Sequence, residues 1–165
     1  MDQKSTIVER LRFNAIDEAT SRTLRDDKDF ILKEMPEILD RFYDHVARYP
    51  ETMAFFRNRD QMMHAKTMQV RHWGIIAEGR FDATYETSVT RIGETHNRLG
   101  LEPRWYIGGY NFLISGMTAA IAARYGGKRD GERRTALQTA FVKAALLDMD
   151  LAIAVYLDSG QRERV

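Results

Sequence analysis

Four histidines, His45, His64, His72 and His96, are the side chains of this sequence best suited to bind a metal or move a proton near neutral pH. Zinc chemistry needs several N, O or S ligands converging at defined spacing, and the sequence does not provide them. No histidine pair lies at i, i+4, no Glu-x-x-His pair occurs, and His64 and His72 stand about two helical turns apart. His96 differs in its company. Val89, Ile92, Gly93, Leu99 and Gly100 share its helix face at spacings of three, four and seven, so the imidazole projects from an apolar surface beside small residues. A flat apolar ligand could lie there, and a heme needs one axial nitrogen donor in a water-poor pocket.

Composition narrows the remaining chemistry. The chain has no cysteine, which excludes a disulfide framework, a thiolate nucleophile, a zinc finger and cysteine-ligated iron centres, and points to a cytoplasmic setting. With 25 basic against 24 acidic residues the net charge is +1, so no charge imbalance asks for nucleic acid or an acidic membrane. No stretch approaches the roughly 20 apolar residues that span a bilayer, and the N-terminus lacks a signal-peptide core. No glycine-rich phosphate loop or acid–base pair stands out, so the expectation is a binding domain, not an enzyme.

The elements that must position His96 read as helices. At 165 residues with 44% hydrophobic content, the chain suits a single domain, 1–165, with a core over about 17–158. After a polar opening, a helix is expected over Asp17 to Met35, and Pro36 either starts a new helix or kinks the old one. Ile38, Leu39, Phe42, Tyr43 and Val46 then form one apolar stripe that stops before Tyr49-Pro50. Asp60 is a plausible cap for a helix over Gln61 to Ala77. Asp82 caps the helix that carries His96, Gly100 closes it, and Pro103 opens the next, along which Tyr106, Tyr110, Leu113 and Met117 form a stripe. A last helix over about Glu132 to Leu157 follows Gly126-Gly127. No strand-like alternation or internal repeat is visible, so the fold class is all-α with six to eight helices.

The stretch from Thr90 to Tyr110 resembles the proximal-histidine segment of globin-coupled sensors, the protoglobin-type domains of aerotaxis transducers and heme-regulated diguanylate cyclases. It combines His96, the turn Arg98-Leu99-Gly100-Leu101-Glu102-Pro103 and the pair Trp105-Tyr106. Arg41-Phe42-Tyr43 and Arg71-His72 are further matches, and the resemblance extends over roughly residues 20–158. It implies a globin fold with a helix before the usual globin core, heme b as cofactor, and His96 as proximal iron ligand. It also implies that Tyr43 donates a hydrogen bond to bound oxygen and that Phe42 packs near the heme edge. Ala65, Met68 and Gln69 would face the iron from the distal helix, with His72 and Trp73 one turn further on and Tyr106 beside His96. The departure is Met68, where the aerotaxis pattern has a threonine, so either Met68 or Gln69 faces the ligand. Val89, Ile92, Leu99, Tyr110 and Leu113 would complete the lining.

Function then follows as expectation: a heme-based sensor that binds oxygen, CO or NO reversibly and relays a conformational signal to a C-terminal transmitter. Chemotaxis transducers, cyclases and kinases all use such heads. The small residues of the last two helices suit a homodimer. The alternatives are a heme-free globin-like scaffold, in which side chains fill the pocket, and a globin with NO dioxygenase-type activity.

Overall fold

A computed structural model of the protein describes residues 3–164, and among the described residues all regular structure is helical. The order is α1 (Gln3–Phe13), α2 (Glu18–Asp26), α3 (Lys28–Val46), α4 (Pro50–Met53), α5 (Arg59–Ala77), α6 (Ala83–Leu99), α7 (Pro103–Arg124) and α8 (Gly131–Arg164). The segment read as a polar opening is helical because α1 has an apolar side of its own. Ile7 is buried, Leu11 packs against the core, and Arg10 pairs with Asp150 of α8.

Several boundaries depart from those expected, and α8 also runs on to Arg164, past the expected end at Leu157. The helix expected from Asp17 to Met35 breaks at Asp27, whose buried carboxylate accepts the Tyr125 hydroxyl and lies 3.4 Å from an Arg133 guanidinium nitrogen. That staple joins the α2–α3 corner to the end of α7 and the start of α8. Pro36, in turn, lies inside α3. It removes one backbone donor, a loss offset by the burial of Ile31, Met35, Ile38 and Leu39 on either side. Asn58, not Asp60, caps α5, because its side chain sits where it can accept from the Gln61 N–H at 2.8 Å while Asp60 already lies in the first turn.

The remaining signals act as read. Asp82 caps α6 by accepting the Tyr85 N–H, Gly100 closes it with φ of 73°, and Pro103 opens α7 after a two-residue link. This short connection turns the chain sharply from α6 into α7. The long α8 lies along both and also meets α2, while α3 crosses α5 and α7. Helix α8 comes close to α6 at Gly93, where a Cβ would stand 2.7 Å from Val155 Cβ and 3.1 Å from the Ala152 carbonyl oxygen. No described helix is long and apolar enough to cross a membrane.

Candidate functional site

His96 lies in the last turn of α6, on the face that α7 and α8 cover. Its ring stacks on Tyr106 of α7, with centroids 4.8 Å apart and planes 18° from parallel, and Tyr106 meets Tyr156 of α8 edge-on at 6.2 Å. Burial pulls the His96 pKa down to about 4 against the opposing pull of the Asp148 charge. The ring is therefore neutral at neutral pH, the form in which a nitrogen lone pair can coordinate a metal. Its Nδ1 and the neighbouring Tyr106 hydroxyl are both buried and have no hydrogen-bond partner among the described residues. Burial also pushes the Tyr106 phenol up to about 12.

Buried polar atoms are ordinarily satisfied, so two unsatisfied ones in ring contact mark a place built for something more than packing. Val89 and Gly93 are buried on the same face of α6, and Ile92 is half-buried beside them. Among the described residues no three His, Cys, Asp or Glu side chains gather as a metal cage. A lone neutral imidazole in apolar surroundings suits a metal that brings its remaining ligands with it, and the residues present fit heme in this respect.

A second aromatic group forms on α3. The Tyr43 ring lies 5.0 Å from Phe42 and 6.1 Å from Phe56, and burial raises its phenol, which keeps the hydroxyl protonated as a donor. Phe42 lies over α7, where a Cβ on Gly109 would stand 3.1 Å from its ring edge. Thus α7 carries Tyr106 towards His96 and Gly109 towards the Phe42 and Tyr43 pair. Leu113, further along α7, is buried. His45 is half-buried and stacks on Phe112 at 5.3 Å.

On α5, Ala65 and Gln69 are half-buried while Met68 is exposed, as is Leu99 at the end of α6. His72 and Trp73 have other partners. Trp73 stacks on Phe141 of α8 with centroids 5.0 Å apart. His72 is fully enclosed, with Nδ1 2.6 Å from Ser88 Oγ and Nε2 2.7 Å from Asp148 Oδ1.

Asp148, 1% exposed, is the functional-looking residue that the sequence reading passed over. Besides His72, it accepts the Tyr85 hydroxyl at 2.8 Å on Oδ1 and the Tyr110 hydroxyl on Oδ2. Burial and the adjacent carboxylate raise both phenols well above their ordinary range, so both remain donors. The signal was present: Asp148 falls between Ala144, Ala145 and Ala152 at helical spacing, an acid on a face of small buried residues.

Comparison with known proteins agrees with this architecture. A family model described as Protoglobin matches residues 3–162. The chain is 27% identical over 163 residues to the heme-based aerotactic transducer HemAT of Halobacterium salinarum, covering 94% of this chain and 33% of that protein. It therefore spans about a third of that relative's length. The globin domain of a Geobacter sulfurreducens globin-coupled sensor superposes with a TM-score of 0.81 at 20% identity, over 90% of this chain and 95% of that one. The fold is thus the globin fold of that sensor type, with eight helices among the described residues.

Proposed function

The chain belongs to the protoglobin family, and from that premise we propose that it is a heme-based gas sensor domain. It holds heme b through His96, binds oxygen, CO or NO reversibly, and passes a conformational signal through α8 to a transmitter. The observation that carries this reading is the half-buried, neutral His96 imidazole, which stacks on Tyr106 and whose enclosed Nδ1 has no partner among the described residues. The name of the Halobacterium salinarum relative, a heme-based aerotactic transducer, points the same way.

In this mechanism the heme, when bound, supplies an iron site for a diatomic gas. The protein does the rest. His96 offers a neutral nitrogen donor whose ring plane is fixed by the Tyr106 stack, so the donor is oriented before the cofactor arrives. Val89, Ile92, Leu113 and Phe42 keep water away, which strengthens every polar contact inside. Tyr43 would offer an O–H donor suited to a ligand that gains negative charge on binding, as oxygen does far more than CO. Of the two distal candidates on α5, half-buried Gln69 is favoured over exposed Met68 as a second polar contact. Binding and relay, with no turnover, are the role, and the domain works inside the cell. Exposed Ile107 on α7 and Leu146 and Leu157 on α8 support pairing of two copies through these helices.

The decisive measurement is the absorption spectrum of reconstituted ferrous protein with and without oxygen. Wild type gives a Soret band that shifts with oxygen, and His96→Ala loses the heme. An unchanged iron coordination in His96→Ala overturns the ligand assignment, and a wild type without a Soret band overturns the heme reading.

A further inference from the structure

Asp148 presents a physical puzzle. A buried carboxylate has a large desolvation cost, and replacing buried ionic groups with packed apolar side chains is often neutral or stabilising. Its presence at the centre of the helix packing therefore asks for a role beyond holding the fold. Its three donors come from three different helices: His72 from α5, Tyr85 from α6 and Tyr110 from α7. Among the described residues, Asp148 is the one point at which α8 is hydrogen-bonded to all three.

Two of these helices, α6 and α7, carry the His96 site together with α8, and the registers coincide. Tyr110 follows Tyr106 by one turn on α7, so the ring stacked on His96 and the phenol bonded to Asp148 share a face. Tyr85 lies about three turns before His96 on the stripe of α6 that faces α8, and Ser88, about two turns before it, meets His72 of α5. On α8, Asp148 is followed by Val155, which abuts Gly93, and Tyr156, which meets the edge of Tyr106. Helix α8 thus touches the His96 assembly at one end of this stretch and is fastened by Asp148 at the other.

We propose that Asp148 is the positioning residue that couples movement of His96 and Tyr106 to α8, through its hydrogen bonds to Tyr85, His72 and Tyr110. The inference rests on the heme reading above and adds the route by which ligation is felt. Hydrogen bonds lose strength steeply with misalignment, whereas close-packed side chains such as Val155 on Gly93 transmit a push without discriminating among directions. A displacement of α6 or α7 of a fraction of an ångström is resisted at Asp148 until one donor is lost, and α8 then shifts relative to the helix that let go.

Hydrogen–deuterium exchange of the ferrous protein with and without CO, read on peptides of α6 and α8, tests this. Wild type changes its exchange in both helices on CO binding. Asp148→Asn places an amide N–H₂ where one donor now points. Tyr85→Phe keeps the ring stacked on His72 and deletes one O–H. In each variant the CO-induced change in α8 is largely lost while that in α6 persists. A variant that raises α8 exchange equally with and without CO, leaving the CO-induced difference intact, has only a structural effect and overturns the proposal. So does a wild type whose α8 does not respond to CO. If Asp148→Asn does not fold, Tyr85→Phe decides between these outcomes by itself. Absence of a Soret band in the wild type overturns the heme reading together with the proposal; a normal Soret band with an unaltered α8 response in the variants overturns the proposal and leaves that reading standing.

Discussion

Two tyrosines, Tyr110 buried and Tyr43 half-buried, have opposite polar surroundings. Tyr110 gives its hydroxyl to Asp148, whereas burial raises the Tyr43 pKa and keeps its phenol protonated among aromatic rings. A donor held this way stabilises a ligand that acquires negative charge by about 1–3 kcal/mol. Tyr43→Phe therefore releases oxygen about 5- to 150-fold faster, at 1.4 kcal/mol per decade, while CO release changes far less. Stopped-flow displacement of oxygen by CO measures this, and equal effects on both gases would show that Tyr43 only packs. At this scale the sequence was legible where a residue stood out from its own helix face. His96 did, as an imidazole among Val89, Ile92 and Gly93. Asp148 was not singled out, since a carboxylate in a run such as Leu147-Asp148-Met149-Asp150 reads as a solvent-facing charge until its partners are known. Those partners lie 38, 63 and 76 residues away in sequence. The resemblance implies a place for His72 by the pocket, and the carboxylate it meets, 76 residues away, is not visible from its own helix.

Among the elements, helix ends were the most legible feature and helix continuity the least. Asp82, Gly100 and Pro103 each fix a boundary through their own backbone chemistry, so the α6–α7 corner follows from local sequence. Pro36 misleads because its local cost is overridden by burial along α3, and Asp27 breaks the chain there because of Tyr125 and Arg133, about a hundred residues on. The α6–α8 crossing is the element-scale feature with the sharpest consequence. A Cβ at Gly93 meets Val155 at 2.7 Å and the Ala152 carbonyl at 3.1 Å, and backbone cannot rotate away as a side-chain tip can. Gly93→Val must therefore separate the two helices. Overpacking of this kind costs about 1–3 kcal/mol, a fall in thermal midpoint of roughly 2–12 °C for a domain of this size. Gly108→Ala, which meets nothing within 4 Å, is the control and leaves the midpoint unchanged or slightly higher. Equal midpoints for Gly93→Val and wild type would mean that the crossing is loose in solution.

Across the whole molecule, 20% identity with a superposition of TM-score 0.81 shows how much of this fold rests on pattern and how little on particular residues. The helix stripes and caps were readable in the sequence for that reason; the buried polar contacts that specify how α8 seats were not. Folding and cofactor binding meet at His96. Its folded-state pKa of about 4 lies below the ordinary 6.5, so as the pH falls the unfolded chain takes a proton from about 6.5 while the folded chain takes it only near 4. Stability contributed by the neutral ring is complete above about pH 6.5 and is lost progressively as the pH falls towards 4, by up to about 3 kcal/mol. Heme binding only to the folded chain adds about 2.7 kcal/mol when the free heme concentration is a hundred times its dissociation constant, or roughly 5–11 °C in thermal midpoint. The proton competes for the same imidazole only near pH 4. The midpoints of heme-free and heme-loaded protein should therefore fall together between pH 6.5 and 5, with the gap between them unchanged, because groups common to both forms cancel in the difference. Thermal unfolding followed by circular dichroism at half-unit pH steps resolves this. A gap that closes near pH 6.5 would mean that His96 titrates as an exposed histidine, and the apolar enclosure argued for it would be wrong.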